Sequence, residues 1–246
     1  QNPKKFGMLV EQAHQVALNV LRPISRKYDK AEHAYPKELD MLASLLDGMN
    51  EGAPGSAGAT SATGGSSNSN AGEVKNGSNM STALGIMEMC WGDVGLLLAM
   101  PRQGLGNAAI AAVANDEQLE RFKGTWAAMA ITEPNCGSDS AAIRTTAVKD
   151  GDDYILNGEK IYVTSGARAD SVVVWATLDK NIGRAAIKSF VVKHGTPGME
   201  IARLEKKLGI KASDTAAINF TDCRVPAANL LGSPEIDAHK GFAGVM

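Results

Sequence analysis

Two periodicities divide the chain. Up to about residue 125, apolar positions recur every three or four residues. Met8, Val16 and Val20 do so first, then Leu39, Leu42, Leu45 and Leu46. That spacing lines one face of an α-helix. Pro23 and Pro36 punctuate the stretch, and each fits near a helix start, where an amide hydrogen has no intrahelical partner anyway. "STALGIMEMCWGDVGLLLAM" predicts a second helical block and "GNAAIAAVANDEQLERFKG" a third, with Asp116 placed to cap its short last helix.

From Trp126 the period falls to two. "AAMAIT", "AIRTTAVKD", "DYILNGEKIYVTSG", "SVVVWATLD", "AIKSFVVKHG", "MEIARLEKKLG" and "TAAINFTDCRV" are short runs rich in Val, Ile and Thr. Turn signals separate or interrupt them: Asp150-Gly151, Asn157-Gly158, Ser165-Gly166 and Pro197-Gly198. Asn157-Gly158 reads as a tight hairpin turn. Seven short strands with little helix between them predict an antiparallel barrel or sandwich. The whole is an α+β multidomain chain, all-α first and antiparallel β-barrel second. The expected boundaries are 1–125 for the helical domain, 126–230 for the barrel, and 231–246 for the start of a further helical domain.

Composition adds little except at one place. Residues 51–79 are almost wholly Gly, Ala, Ser, Thr and Asn. Such a segment buries too little apolar surface to offset its ordering entropy, so it reads as a flexible excursion. The chain of 246 residues is 44% hydrophobic and 21% charged, with a net charge of −2. Nothing in that balance suggests a nucleic-acid footprint, and no apolar run reaches the length of a membrane helix. Three separated cysteines and four scattered histidines form neither a disulfide framework nor a metal spacing. A reducing, cytoplasmic setting is the simplest expectation.

The candidate chemistry sits where the first strand ends. "AMAITEPNCGSDSAAIRTTA" stops a strand at Thr-Glu-Pro and continues through a small polar loop. Gly137 and Ser138 would let backbone and hydroxyl approach an anion closely. "ITEPNCGSDSAAIRTTA" with "GDDYILNGEKIYVTSGARAD" downstream resembles the middle domain of the acyl-CoA dehydrogenase family, and "GTPGMEIARLEKKLGIKASDTAAINFTDCRVPAANLLG" is similar to that domain's closing segment. The agreement in order and spacing runs over roughly residues 126–245.

The resemblance implies a flavoenzyme that holds FAD and desaturates an acyl-CoA thioester to the trans-2-enoyl-CoA, with hydride passing to flavin N5. It implies cofactor contacts from Met129, Ile131, Thr132, Gly137, Ser138, Tyr162, Val163 and Thr164. It implies acyl-CoA contacts from Ser138 and Arg184. Within it, the Thr132 hydroxyl and the Ile131 backbone would meet the flavin pyrimidine, Ser138 the pyrophosphate, and Thr164 the N5 region. Tyr162 stands where the family usually has Trp, and Met129 where an aromatic residue is common. The resemblance places the catalytic base in a C-terminal bundle, so no base is named among these residues. It further implies an electron-transfer flavoprotein as redox partner and a homo- or hetero-oligomer, dimer or tetramer. A non-catalytic subunit of a heteromeric dehydrogenase is the alternative.

Other residues read more plainly. Glu133 suits a local ion pair and Asp139 an Asx-type turn rather than acid–base work. Cys136 fills a tight loop, with no His or Lys flanking it to activate a thiol. Trp175 reads as core. Met80, Met87, Met89 and Met100 read as helix packing, and Lys206 and Lys207 as a solvated charged edge.

Overall fold

The computed structural model describes residues 3–50, 78–101 and 105–236. The excursion at 51–79 therefore lies outside the described residues as far as 77, and so does the helix expected near the C-terminus. Contacts divide the chain into two compact units. One comprises Gln1–Gln103 with Lys206–Ser213, the other Gly104–Glu205 with Asp214–Met246.

The first unit is helical. It contains α1 (Pro3–Val16), a five-residue π-turn (Ala17–Leu21), α2 (Arg22–Lys30), α3 (Glu38–Asn50) and α4 (Ser78–Leu98). Pro23 falls in the first turn of α2, as its fixed φ favours. Leu21, Tyr28, Leu39, Leu42, Leu96 and Met100 form its buried core. Met89 packs partly against that core, whereas Met80 and Met87 are exposed. Two irregularities escape the helical period. Asp93 is extended at φ −172° and its carboxylate accepts from Leu96 N at 2.8 Å, so α4 is two helical pieces with a cap between them. The other is the π-turn. Ala17 lies so close to Gly92 that a Cβ there would stand 2.9 Å from the Ala17 Cβ.

The second unit begins with α5 (Leu105–Val113) and α6 (Asp116–Arg121), so contacts group these helices with the sheet rather than with the helices before them. The cap of α6 is Asn115, not Asp116. Asn115 accepts from Gln118 N, and the Gln118 side chain accepts from Asn115 N in return. Asp116 stands one residue inside, where its charge complements the helix dipole.

All seven expected strands form: β1 (Ala127–Ala130), β2 (Thr146–Asp150), β3 (Asp153–Thr164), β4 (Ser171–Thr177), β5 (Ile187–Lys193), β6 (Met199–Leu204) and β7 (Thr215–Pro226). They make one curled sheet in the order β1-β4-β2-β3-β7-β6, with β5 on the other side of β4. Most pairings are antiparallel, but β1–β4 and the single β2–β4 contact are parallel. The reason is the long excursion between β1 and β4, which lets the chain return in the same direction. Burial of both sheet faces explains why β4 reads as an unbroken apolar run. Val172 and Val174 enter one cluster with Tyr154, Leu156, Phe190 and Ile218, while Val173 and Trp175 enter another with Ala109, Ile110, Ile143 and Val191. Trp175 is thus core. The alanines of β1 let α5 approach closely: a Cβ on Gly106 would stand 2.5 Å from the Ala127 carbonyl oxygen.

Asn157-Gly158 is not a hairpin turn. The turn lies at Asp150–Asp153, with Gly151 at φ +58°. Asn157-Gly158 instead sits inside β3 at a register shift against β7. Gly158 takes φ +154°, and a Cβ there would overlap the Thr145 side chain, 2.7 Å from its Cβ. The glycine is required by a bulge and a close neighbour, not by chain reversal.

Candidate functional site: the loop after the first strand

The stretch Ile131–Thr145 leaves β1 and returns as β2. Its first residues lie along β3: Ile161 N donates to the Thr132 carbonyl at 2.9 Å. Lys160, one residue earlier, donates from Nζ to the Ile131 carbonyl at 2.9 Å and to Glu133 Oε1 at 2.7 Å. Lys160 is fully buried and Glu133 is 6% exposed. Glu133 also accepts from Arg144 N, from Thr145 N and from the Thr145 hydroxyl, at 2.7, 3.0 and 2.6 Å. One carboxylate therefore ties both ends of the loop to β3. Burial alone would push Glu133 up. The Lys160 charge and these hydrogen bonds outweigh burial and hold the carboxyl below its ordinary value. Burial, only partly opposed by Glu133, pulls Lys160 down. A carboxylate so fully engaged is no general base. It is an ion pair, as expected, but its partner lies 27 residues away in sequence rather than locally.

Cys136 is buried in the turn, its Sγ 3.9 Å from Glu133 Oε2. Burial and the neighbouring carboxylate push its thiol up, so it is not an activated nucleophile. Asp139 opens a short 3-10 turn (Ser140–Ala142) but gives it no side-chain cap.

The end of β3 has its own irregularity. Between Lys160 and Val163 the ladder to β7 shifts register. Tyr162 takes φ +57° and Ser165 φ +60°, an uncommon conformation for residues other than glycine, and they bracket Thr164. Tyr162 is 62% exposed and Thr164 is exposed. The turn beyond is held by buried Asp214, which accepts from Ala167 N at 3.0 Å and pairs with Arg168 Nε at 3.3 Å.

The residues expected to bind cofactor thus divide by role. Met129 and Ile131 pack against the cluster shared with α5, and Val163 is core. Met129 and Ile131 are half-buried there, and the Ile131 carbonyl is already engaged by Lys160. Thr132, Gly137, Ser138, Tyr162 and Thr164 are not so committed. Among the described residues, the hydroxyls of Thr132, Ser138 and Thr164 have no hydrogen-bond partner, and neither do the N–H groups of Gly137 and Ser138. Gly137 needs its missing side chain neither for a positive φ nor for space, since a Cβ there would meet nothing within 4 Å. Arg184 is exposed on a 3-10 turn (Gly183–Ala186) that packs against Ser140–Ala142, the turn just after Ser138.

Sequence reasoning missed Lys160, Thr145 and Asp214. For Lys160 the signal was there. It stands in phase with Tyr154 and Leu156, both buried, so a strand lysine at an inward position called for a buried partner.

A helical unit followed by a curled sheet matches the fold of solved acyl-CoA dehydrogenases. The structure of butyryl-CoA dehydrogenase from Megasphaera elsdenii matches with a TM-score of 0.73 at 29% identity, over 97% of this chain and 60% of that one. The model of the acyl-CoA dehydrogenase middle domain matches residues 128–223. Over those residues the chain carries an acyl-CoA dehydrogenase-type middle domain. Among curated relatives, acryloyl-CoA reductase (NADH) of Anaerotignum propionicum is 45% identical over 121 residues, 48% of this chain and 30% of that protein. The short-chain specific acyl-CoA dehydrogenase of Clostridium acetobutylicum is 43% identical over 115 residues, 47% of this chain and 29% of that protein. The matched part is therefore about a third of these relatives' length. No described helix is long and apolar enough to cross a membrane.

Proposed function

We propose that the protein binds FAD and a CoA thioester and interconverts a saturated acyl-CoA with its α,β-unsaturated counterpart. The observation that carries this reading is the set of uncommitted donors: the hydroxyls of Thr132, Ser138 and Thr164 and the amides of Gly137 and Ser138. Neutral donors on small residues suit a ligand with carbonyl oxygens at one end and a pyrophosphate at the other. The residues present fit the cofactor. Thr132 and Thr164 would orient the ring system, and Gly137 and Ser138 would hold the pyrophosphate. Bound FAD would supply the hydride acceptor at N5.

Tyr162 presents an exposed ring beside Thr164 and would cover one side of the cofactor, excluding water from it. Arg184 would meet a phosphate of CoA across the paired 3-10 turns, with Ser138 between thioester and cofactor. The names of the relatives, acryloyl-CoA, butyryl-CoA and short-chain acyl-CoA enzymes, favour a small acyl group. An electron-transfer flavoprotein as redox partner, a dimer or tetramer, and a cytoplasmic setting complete the reading. The three cysteines are all free thiols, which suits a reducing compartment.

The test is the visible spectrum of the full-length protein, with flavin counted per chain after denaturation, followed by anaerobic addition of butyryl-CoA. About one oxidised flavin per chain that bleaches with the thioester is the expected result. Flavin that never bleaches with any short acyl-CoA would remove the enzyme from the reading, and a folded protein that takes up no FAD would remove the cofactor.

A further inference from the structure

The buried pair Lys160–Glu133 is not a ligand contact, yet it touches the segment that would face the cofactor. The Ile131 carbonyl points inward to Lys160 Nζ at 2.9 Å. A trans peptide is planar, so its C=O and N–H point in opposite directions. Capture of the Ile131 oxygen therefore turns the Thr132 N–H outward, away from the core. That N–H has no acceptor among the described residues. The next carbonyl, of Thr132, is fixed by Ile161 N. Two successive carbonyls are thus tied to β3, one by a side chain and one by backbone, and the peptide between β1 and the loop has its rotation set.

The ammonium is itself aimed by Glu133, whose other bonds go to Arg144 N and to Thr145. A lysine fully buried beside a carboxylate is a poor way to gain stability, because an apolar pair of similar size would serve as well. Its two acceptors, one backbone and one carboxylate, give it a geometric task instead.

We propose that Lys160 is a positioning residue for the flavin. Held by Glu133, it captures the Ile131 carbonyl and so presents the Thr132 amide and hydroxyl together as donors to the cofactor's pyrimidine oxygens. This rests on the flavin reading above.

The experiment compares the full-length wild type, Lys160→Met, and the double variant Glu133→Gln with Lys160→Met. Each is stripped of flavin. Its FAD dissociation constant is measured by fluorescence quenching, and its melting temperature is measured without cofactor. Lys160→Met leaves a buried unpaired carboxylate, so both readouts worsen. The double variant removes both charges, and the apoprotein melting temperature recovers most of the loss. FAD binding does not recover, since nothing holds the Ile131 carbonyl. A dissociation constant at least tenfold above wild type is expected, with a displaced visible flavin band. A double variant that regains both stability and FAD affinity within twofold of wild type overturns the positioning role and leaves the flavin reading intact. If the double variant stays as unstable as the single one, Glu133→Gln with Lys160→Leu serves in its place, with the same tenfold criterion. A wild type that binds no FAD overturns both.

Discussion

Two ion-pair clusters in the sheet unit use the same side-chain chemistry to opposite ends. At the β2–β3 turn, Arg224 reaches Asp150 at 2.6 Å and Asp153 at 3.1 Å, and all three are partly open to solvent. Under the first loop, Lys160 and Glu133 meet at 2.7 Å with almost no exposure. Water and salt compete with the first cluster, so it is close to neutral for stability. The second has no water to fall back on, because the charges are met only by each other, by the backbone around them and by the Thr145 hydroxyl. Distance does not separate the two clusters. Burial does, and burial is what makes one of them able to fix a peptide plane.

Substitutions can break this comparison in order of effect. Glu133→Gln or Lys160→Met alone strands a buried charge, and chemical denaturation should show a loss of about 3–5 kcal/mol. An effect below 1 kcal/mol would place the pair with the surface clusters. Gly158→Ala comes next. The new methyl meets Thr145, which donates to Glu133, and the φ of +154° is strained for any side chain. A loss of about 1–3 kcal/mol in chemical denaturation is expected, and Thr145→Ser, which keeps the colliding hydroxyl and Cβ, should give none of it back.

Acid sharpens the contrast further. The Glu133 carboxyl is held below its ordinary value by Lys160 and its hydrogen bonds. Its contribution is therefore complete above the unfolded glutamate value of about 4.3 and is lost as pH falls through the lower folded value. Melting temperature plotted against pH should fall more steeply below that point in wild type than in the Glu133→Gln, Lys160→Met double variant. Parallel curves would show that the pair does not carry the acid response. Arg224→Ala stands at the small end. Its melting temperature should match wild type in high salt, and a drop that persists there would contradict the assignment of that cluster as screened.

The fold was legible because each strand carried its own signal. Seven short runs rich in Val, Ile and Thr became seven strands, and the continuous apolar one, "SVVVWAT", was β4, buried on both faces. What escaped were features that depend on a distant neighbour. Gly158 looked like a turn because Asn-Gly usually is one, and only Thr145, thirteen residues away, explains it as a bulge. The capping role went to Asn115 rather than Asp116 because Gln118 closes a reciprocal box with it. In the candidate site, Thr132, Ser138 and Thr164 were legible as small polar residues, and among the described residues their hydroxyls have no partner. The packing of Met129 and Ile131 against one cluster and of Val163 within another was not, since a pattern of two says which side a residue faces but not what lies there. Lys160 was readable in principle from its inward phase.

The closure of the first loop by one carboxylate has a consequence for the chain's continuity. Glu133 accepts from Arg144 and Thr145, so the two ends of the segment are fastened to each other and to β3 without help from residues 137–143. A cut placed among the exposed positions Gly137 to Asp139 would leave both new ends held in register. The loop could be severed, or lengthened by a guest sequence, while the sheet beneath it stays whole, which makes it a natural place to open the polypeptide and join it elsewhere.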